Sequence, residues 1–423
     1  MVSKTKMPDS GSIAVNIVAG PIPESEAALE KTCSQAGNRF ILNLLARLSE
    51  LPGIHVSITS YRPVEMFPRS NLIIQLPRKK YRLGDYEQSQ VWFVNVLILK
   101  QITMAISIFL QLLMWAFVHR RQRRVMLVYN VFSAFSIPTL LAAWATGSIA
   151  VALIADTPHD CYSYKGIKGL LERLDFFQQT RVMRRFSGVI CLTKQTWDDF
   201  APGRPGLVVE GGINTDEATE PLREVNIALA EELFHTRVCM YTGALNNLNG
   251  IPELLKGFAL VADPDVRLWL LGRGECESVV LDAAARDPRI SLLGFLPNDE
   301  ARALQRRVTV LINPRPSQQE ITKYTFPSKL LEYLQSGTPV LTTRLPGIPA
   351  EYYQHVFPIE TETTEGIAEA LRRTLSVPTA KLREKGVSAR EFVVRDKSWQ
   401  AQARRIARFL HSLTDGSYLS PAA

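Results

Sequence analysis

Hydrophobic residues along this chain gather in short runs separated by longer mixed segments. Residues 13–19 (IAVNIVA) form an unbroken apolar run that predicts a buried first strand. A loop with Pro21 and Pro23 follows, then a helical pattern around Arg39 to Leu48 and a strand-like run at 54–60 (IHVSITS). Runs at 125–130 (VMLVYN) and 149–155 (IAVALIA) predict two more strands, with helical patterns between them. Strands that alternate with helices predict a parallel sheet covered on both faces. The second half repeats the pattern with runs at 238–242, 266–271, 290–293, 308–312, 339–342 and 355–359. The expected fold class is therefore α/β, with two doubly wound domains. The expected boundaries are 1–213 and 237–395, with a polar linker region at 214–236. The tail, 396–423, opens with an amphipathic helix at about 396–413 that is expected to pack back on the first domain.

Length agrees with this division, since 423 residues exceed one ordinary core and suit two domains. With 46 % hydrophobic and 21 % charged residues, the composition is that of a folded protein and excludes a disordered one. The net charge of +8 suits anionic partners such as nucleotide diphosphates or phospholipid head groups. No nucleic-acid motif accompanies the basic residues, so no nucleic-acid partner is expected. Cys33, Cys161, Cys191, Cys239 and Cys276 are scattered, with no C-x-x-C pair. That argues against a disulfide framework or zinc site and for a reducing, cytoplasmic location. Met1–Ser12 is polar and the next apolar run ends in prolines, so no secretory signal is expected.

One segment departs from the pattern. Residues 101–118 (QITMAISIFLQLLMWAFV) carry no charge and lead into a basic run from His119 to Arg124. The length is at the lower edge for crossing a bilayer. A crossing would place two strands of one sheet on opposite sides of the membrane, and Gln101, Ser107 and Gln111 interrupt the run. A buried helix, or one lying on an anionic membrane surface on the inner face, is the better expectation.

The chemistry concentrates in residues 312–343, INPRPSQQEITKYTFPSKLLEYLQSGTPVLTT. The stretch reads as strand, loop, helix, strand. Pro327 suits the first turn of a helix, Gly337 its end, and Pro339 blocks its continuation. The N–H groups of Ser328, Lys329 and Leu330 are expected to point out of the helix start. That end attracts phosphate, and Lys329 adds a full charge. Glu332 lies one turn further on, where a carboxylate can accept from the vicinal hydroxyls of a ribose.

The same residues resemble the donor-binding signature of glycosyltransferase family 4, retaining enzymes of the GT-B fold. More narrowly, they are similar to a bacterial polysaccharide-synthesis subgroup marked by NPRP…E…KY-x-FPSK-x-x-EY-x-x-SG-x-PV. The likeness is close over Asn313–Val340 and weaker over most of the chain. It extends to Tyr241-Thr-Gly243, to Leu271-Gly-Arg-Gly274 and to Leu293-Gly-Phe-Leu296. It implies two Rossmann-like domains facing across a cleft, with the acceptor on the first and a nucleotide-sugar donor on the second.

The resemblance implies that Glu332 is the second, ribose-binding glutamate of the family's E-x7-E motif. The first falls on Tyr324, a departure for which Glu320 is the nearest substitute. The family's diphosphate-holding Arg and Lys fall on Ala244 and Asn249, so Arg315, Lys323 and Lys329 are expected to compensate. Gly243, Arg273, Phe295, Leu296, Phe326, Pro327, Ser328 and Leu330 complete the expected donor site, and Gly294 to Leu296 are expected to meet the base. In the first domain His159 and Asp156, with Asp160 as a rival, are candidates near the transferred sugar.

The implied reaction transfers a hexose with retention to a saccharide or lipid-linked saccharide. The acceptor is expected on the loop around Gly20–Glu26 and on Gln35–Asn38. No D-x-D motif lies in a suitable loop, and Asp198-Asp199 reads as a solvated helix face, so neither a cofactor nor an essential metal is expected. An inactive subunit or a nucleotide-sugar epimerase on the same architecture are the competing readings.

Overall fold

A computed structural model describes residues 12–27, 30, 34–74, 87–157, 166–215 and 227–418. The chain divides into two compact units, residues 1–210 with 399–423, and residues 211–398.

Among the described residues the first unit has nine strands. These are β1 (Ile13–Ala19), β2 (Ile54–Ser60), β3 (Ile73–Ile74), β4 (Glu87–Gln90), β5 (Phe93–Val94), β6 (Arg123–Tyr129), β7 (Ile149–Ile154), β8 (Gly188–Cys191) and β9 (Gly206–Val208). Seven form one sheet in the order β4-β2-β1-β6-β7-β8-β9, and all its pairings are parallel. Every residue of β1 is buried, as expected of a strand covered on both faces. On one face, Ile41, Leu44, Leu45 and Leu48 of the Gln35–Ser49 helix pack with Ile406 and Leu410 of the Trp399–Asp415 helix. The chain's last helix thus completes the core of its first unit.

Among the described residues the second unit has six strands, β10 (Arg237–Thr242), β11 (Val266–Leu271), β12 (Ile290–Gly294), β13 (Val310–Asn313), β14 (Val340–Thr343) and β15 (Phe357–Ile359). They form a parallel sheet in the order β12-β11-β10-β13-β14-β15. Strand order reverses direction between β10 and β13, and doubly wound sheets gather ligands at the carboxyl ends of such a pair. Within 214–236, which the sequence suggests as a linker, Ile227–His235 is a helix whose Leu229 and Leu233 pack on this unit's core.

Candidate functional site

Glycine-dependent turns close the carboxyl ends of β10, β11 and β12. Gly272 has φ +147°, and a Cβ there would lie 1.8 Å from the Gly243 carbonyl oxygen. Only glycine allows the two turns to approach so closely. Hydrogen bonds stitch the set together: Gly243 N to Leu271 O, Leu245 N to Arg273 O, and Gly272 N to Gly294 O, at 2.8–2.9 Å. Arg273 and Phe295 stand exposed on these turns, with the guanidinium 5.5 Å from the ring centre. Leu296 is half-buried against the core.

On the other side of the crevice, β13 runs into the Pro-rich loop. Asn313 is buried and donates to Thr342 Oγ1 at 2.9 Å. A short 3-10 turn, Glu320–Lys323, follows, with Lys323 Nζ 3.0 Å from Glu320 Oε2. Tyr324 and Phe326 are buried, so their side chains anchor the loop in the core. Arg315 is half-buried here. Burial pushes the Tyr241 phenol above its ordinary range while the Arg315 guanidinium pulls it back, which puts Arg315 near the end of β10. Tyr241 itself donates to the Ala244 carbonyl, as does the Asn249 side-chain amide, both at 2.9 Å. Asn249 thus holds the turn where the family resemblance implies a lysine.

The helix Ser328–Ser336 begins at the mouth of this crevice. Pro327 is its N-cap, one residue before the first turn, and Gly337 at φ +78° caps its end in the left-handed conformation. Leu330 N–H donates to the Pro327 carbonyl at 2.8 Å. The helix start therefore presents the N–H groups of Ser328 and Lys329, and the expectation of three free donors is corrected to two. Ser328 and Lys329 are exposed, while Leu330, fully buried, faces the core.

Two side chains of this helix converge on the end of β10. Pairing of β10 with β13 stops at Met240 and Leu311. Beyond that point the Tyr333 hydroxyl takes the place of a neighbouring strand. It accepts from Thr242 N–H at 2.7 Å and donates to the Thr242 carbonyl at 3.0 Å. Glu332 lies alongside. Its Oε1 accepts from Gln305 Nε2 at 2.7 Å, and the same Gln305 nitrogen is 3.1 Å from Thr242 Oγ1. Lys329 Nζ sits 3.3 Å from the other carboxylate oxygen. A half-buried carboxylate is thereby oriented, one turn inside a helix start, at the switch point of a doubly wound sheet. That arrangement accepts from paired hydroxyls, with cations nearby for phosphate.

Gln305 and Thr242 were not among the residues expected from the sequence. Gln305 ends the Asn298–Gln305 helix and is buried beside Leu304. A buried glutamine on an apolar helix face was the available signal.

In the first unit Asp156 follows β7 and Asn130 follows β6. Asn130 adopts φ +57°, a conformation asparagine tolerates better than most residues. Its Oδ1 accepts from the N–H groups of Ala155 and Asp156, and its Nδ2 donates to Asp156 Oδ2 at 2.8 Å. Asp156 is thus held at the carboxyl ends of the central strands. His159 and Asp160 lie outside the described residues. A small pocket opens beside the loop after β1, lined by Pro21, Ile22, Tyr61, Arg62, Gln88 and Gln90 among others. Asn38 pins its rim by exchanging two 2.9 Å hydrogen bonds with the backbone of Ile22. Asp198 and Asp199 are engaged by Lys194 and Gln195 on their own helix. Among the described residues, no group of three or more His, Cys, Asp or Glu side chains is placed to hold a metal ion.

Comparison with known proteins bears on this geometry. Residues 236–377 match the family described as "Glycosyl transferases group 1". The matched stretch contains every donor-side residue named above. No curated protein sequence matches the chain. Solved structures similar to it include HepE of Anabaena in complex with UDP, with TM-score 0.63 and 14 % identity over 94 % of this chain and 100 % of that one. Sucrose-phosphate synthase from Thermosynechococcus elongatus follows at 0.61 and 14 %, over 96 % and 100 %. Trehalose 6-phosphate synthase from Burkholderia multivorans gives 0.62 and 12 %, over 96 % and 100 %. The chain has the GT-B fold of two Rossmann-like domains. The family match supports a glycosyltransferase domain over residues 236–377.

Proposed function

We propose that this protein is a retaining hexosyltransferase resembling glycosyltransferase family 4, which moves a sugar from a nucleotide-diphosphate donor to a saccharide or lipid-linked saccharide. The observation that carries the reading is the pairing of Glu332, held by Gln305, with the Ser328–Lys329 helix start at the β10/β13 switch point. In this reading Glu332 accepts from the donor ribose. The N–H groups of Ser328 and Lys329 and the cations of Lys329, Lys323, Arg315 and Arg273 hold the diphosphate as charge grows on departure. Gly294, Phe295 and Leu296 border the base. UDP is the first donor base to test, because the Anabaena protein was solved with it.

Retention follows a front-face course. The leaving phosphate oxygen takes the proton of the acceptor hydroxyl, the new glycosidic bond forms on the face the diphosphate leaves, and orientation and electrostatics do most of the work. Asp156, His159 and Glu320 are the side chains assigned to the transferred sugar. The pocket beside Tyr61 is assigned to the acceptor. Its lining carries the polar side chains of Arg62, Gln88 and Gln90, residue types that bind sugar hydroxyls. The described cysteines, Cys191, Cys239 and Cys276, are buried free thiols, which supports a reducing, cytoplasmic location.

NMR of the product tests the stereochemistry: a product anomer matching the donor is expected, and an inverted one refutes retention. Turnover is expected to survive chelation, and loss that a divalent ion restores would overturn the metal-free reading. An epimerase would change the donor without any acceptor.

A further inference from the structure

The helix Leu97–Val118 is apolar on both faces. Met104, Ile108, Leu112 and Ala116 are buried, and Gln101 is exposed. Three polar residues point inward. Ser107 Oγ accepts from Trp92 N–H at 3.2 Å, Thr103 Oγ1 accepts from Val94 N–H at 3.0 Å, and Gln111 Nε2 donates to the Gln90 carbonyl at 2.7 Å. Spaced four residues apart, these three groups cap backbone around β4 and β5. The outward stripe is apolar: Ile98, Ile102, Ile106, Leu110, Met114 and Phe117 follow one another at steps of four or three, and all are exposed. Met114 is 63 % exposed and Phe117 68 %.

The stripe does not end with this helix. The Ser133–Thr146 helix lies beside it, and Arg124 joins their ends by donating to the Ala116 carbonyl at 2.9 Å and the Thr146 carbonyl at 2.6 Å. Trp144, two residues before that junction, is 85 % exposed. A stripe of 22 helical residues is roughly 30 Å long. Such a patch is of the size that marks an interaction surface on a soluble unit.

The charge pattern selects the partner. Between Glu87 and Asp156 the sequence contains no carboxylate, yet it contains Lys100, Arg120, Arg121, Arg123 and Arg124. Arg120 and Arg121 are exposed just past the apolar stripe, with Arg120 4.7 Å from the centre of the Phe117 ring. Arg123 is paired with Asp415, which leaves Arg120 and Arg121 as the exposed cations beside the stripe. Apolar bulk bordered by such arginines suits acyl chains beneath anionic head groups. The helix is long and apolar enough to cross a membrane, but its inward hydrogen bonds to Gln90, Trp92 and Val94 tie it along the first unit, which favours a helix lying on a surface.

We propose that the outer face of the Leu97–Val118 helix, with Trp144 beside it and Arg120 and Arg121 at its end, seats this protein on an anionic lipid surface. The face stands on its own observations, whatever reaction the second unit performs. It also adjoins the pocket assigned to the acceptor, because Gln90 both lines that pocket and accepts from Gln111.

The test is co-sedimentation of the full chain with phosphatidylcholine vesicles, with and without phosphatidylglycerol, at low and high salt. Two variants accompany it, Ile106→Gln/Met114→Gln/Phe117→Gln and Arg120→Glu/Arg121→Glu. All five positions are exposed, and circular dichroism checks that both variants keep the wild-type melting profile. The wild type is expected to bind the anionic vesicles and to release in salt. The apolar variant is expected to lose binding, and the arginine variant to bind the anionic vesicles roughly tenfold more weakly or worse. Absence of vesicle binding by the wild type overturns the proposal, as does binding that neither variant changes. A wild-type dimer that the apolar variant turns into a monomer in light scattering also overturns it and reassigns the face to self-association.

Discussion

Replacing Tyr333 by Phe removes one oxygen atom and tests how the site is built. In the wild type that hydroxyl serves both the N–H and the carbonyl of Thr242, where β10 has outrun its pairing with β13. Tyr333 is fully buried and Thr242 nearly so. Burial also pushes the phenol far above its ordinary ionisation range, so it acts as a neutral donor and acceptor at any pH at which the protein is folded. With Phe, neither Thr242 group has its partner. An unsatisfied buried polar group costs roughly 1–3 kcal/mol, so the pair costs about 3 kcal/mol if the crevice admits some water. For a unit the size of residues 211–398, that corresponds to a fall of about 6–12 °C in melting temperature. Scanning calorimetry measures it, and titration with the donor nucleotide measures the accompanying loss of affinity as the helix carrying Glu332 loses its tie to β10. A Tyr333→Phe protein with the wild-type melting temperature and wild-type donor affinity would refute the assignment of this tyrosine as the strand's substitute partner.

Other consequences follow from the same geometry. Gly272→Ala places a methyl where the Gly243 carbonyl oxygen stands, in a backbone conformation that L-residues rarely adopt. Destabilisation by about 3 kcal/mol or more and loss of donor binding are expected, and a variant that melts like wild type would mean the two turns are not interlocked. Asp287→Asn probes a pair remote from the site. Its side-chain hydrogen bonds to Arg289 hold the Asp287 carboxyl below its ordinary value of 3.8. A depressed carboxylate stabilises the fold above its unfolded pKa, and that contribution disappears as pH falls through the folded value. Asp287→Asn is therefore expected to cost about 1 kcal/mol at neutral pH, with the gap to wild type closing only below about pH 3.8 in urea titrations. A gap that stays constant down to acid would refute the pair's role.

Much of the fold was legible because buried parallel strands write themselves as continuous apolar runs. The run at 266–271 coincides with β11, and 54–60 coincides with β2. Strand β4 was not legible, because EQSQ at a sheet edge has no apolar pattern, and it pairs through backbone bonds that sequence does not display. Strand β8, GVIC, is too short to stand out from the helix before it. In the site, Ser328, Lys329 and Glu332 could be placed because capping residues and helical spacing fix them relative to one another. Gln305 and Thr242 come from other elements, and their convergence on Glu332 depends on how helices pack over the sheet. The Leu97–Val118 helix was recognisable as an unusual apolar stretch. That its serine, threonine and glutamine face inward needed the neighbouring edge strands to be seen.

The central claim is that the second unit binds a nucleotide sugar through Glu332 and the adjacent helix start. Isothermal titration of UDP-, GDP-, ADP- and dTDP-sugars into wild type and Glu332→Ala tests it most directly. One nucleotide class is expected to bind. The substitution is expected to weaken it by about 1.5–3 kcal/mol, roughly 10- to 100-fold, and to lower the melting temperature of the free protein by only a few degrees as buried Gln305 loses one acceptor. Folded wild-type protein that binds none of the four, or binding that Glu332→Ala leaves untouched, would contradict the account.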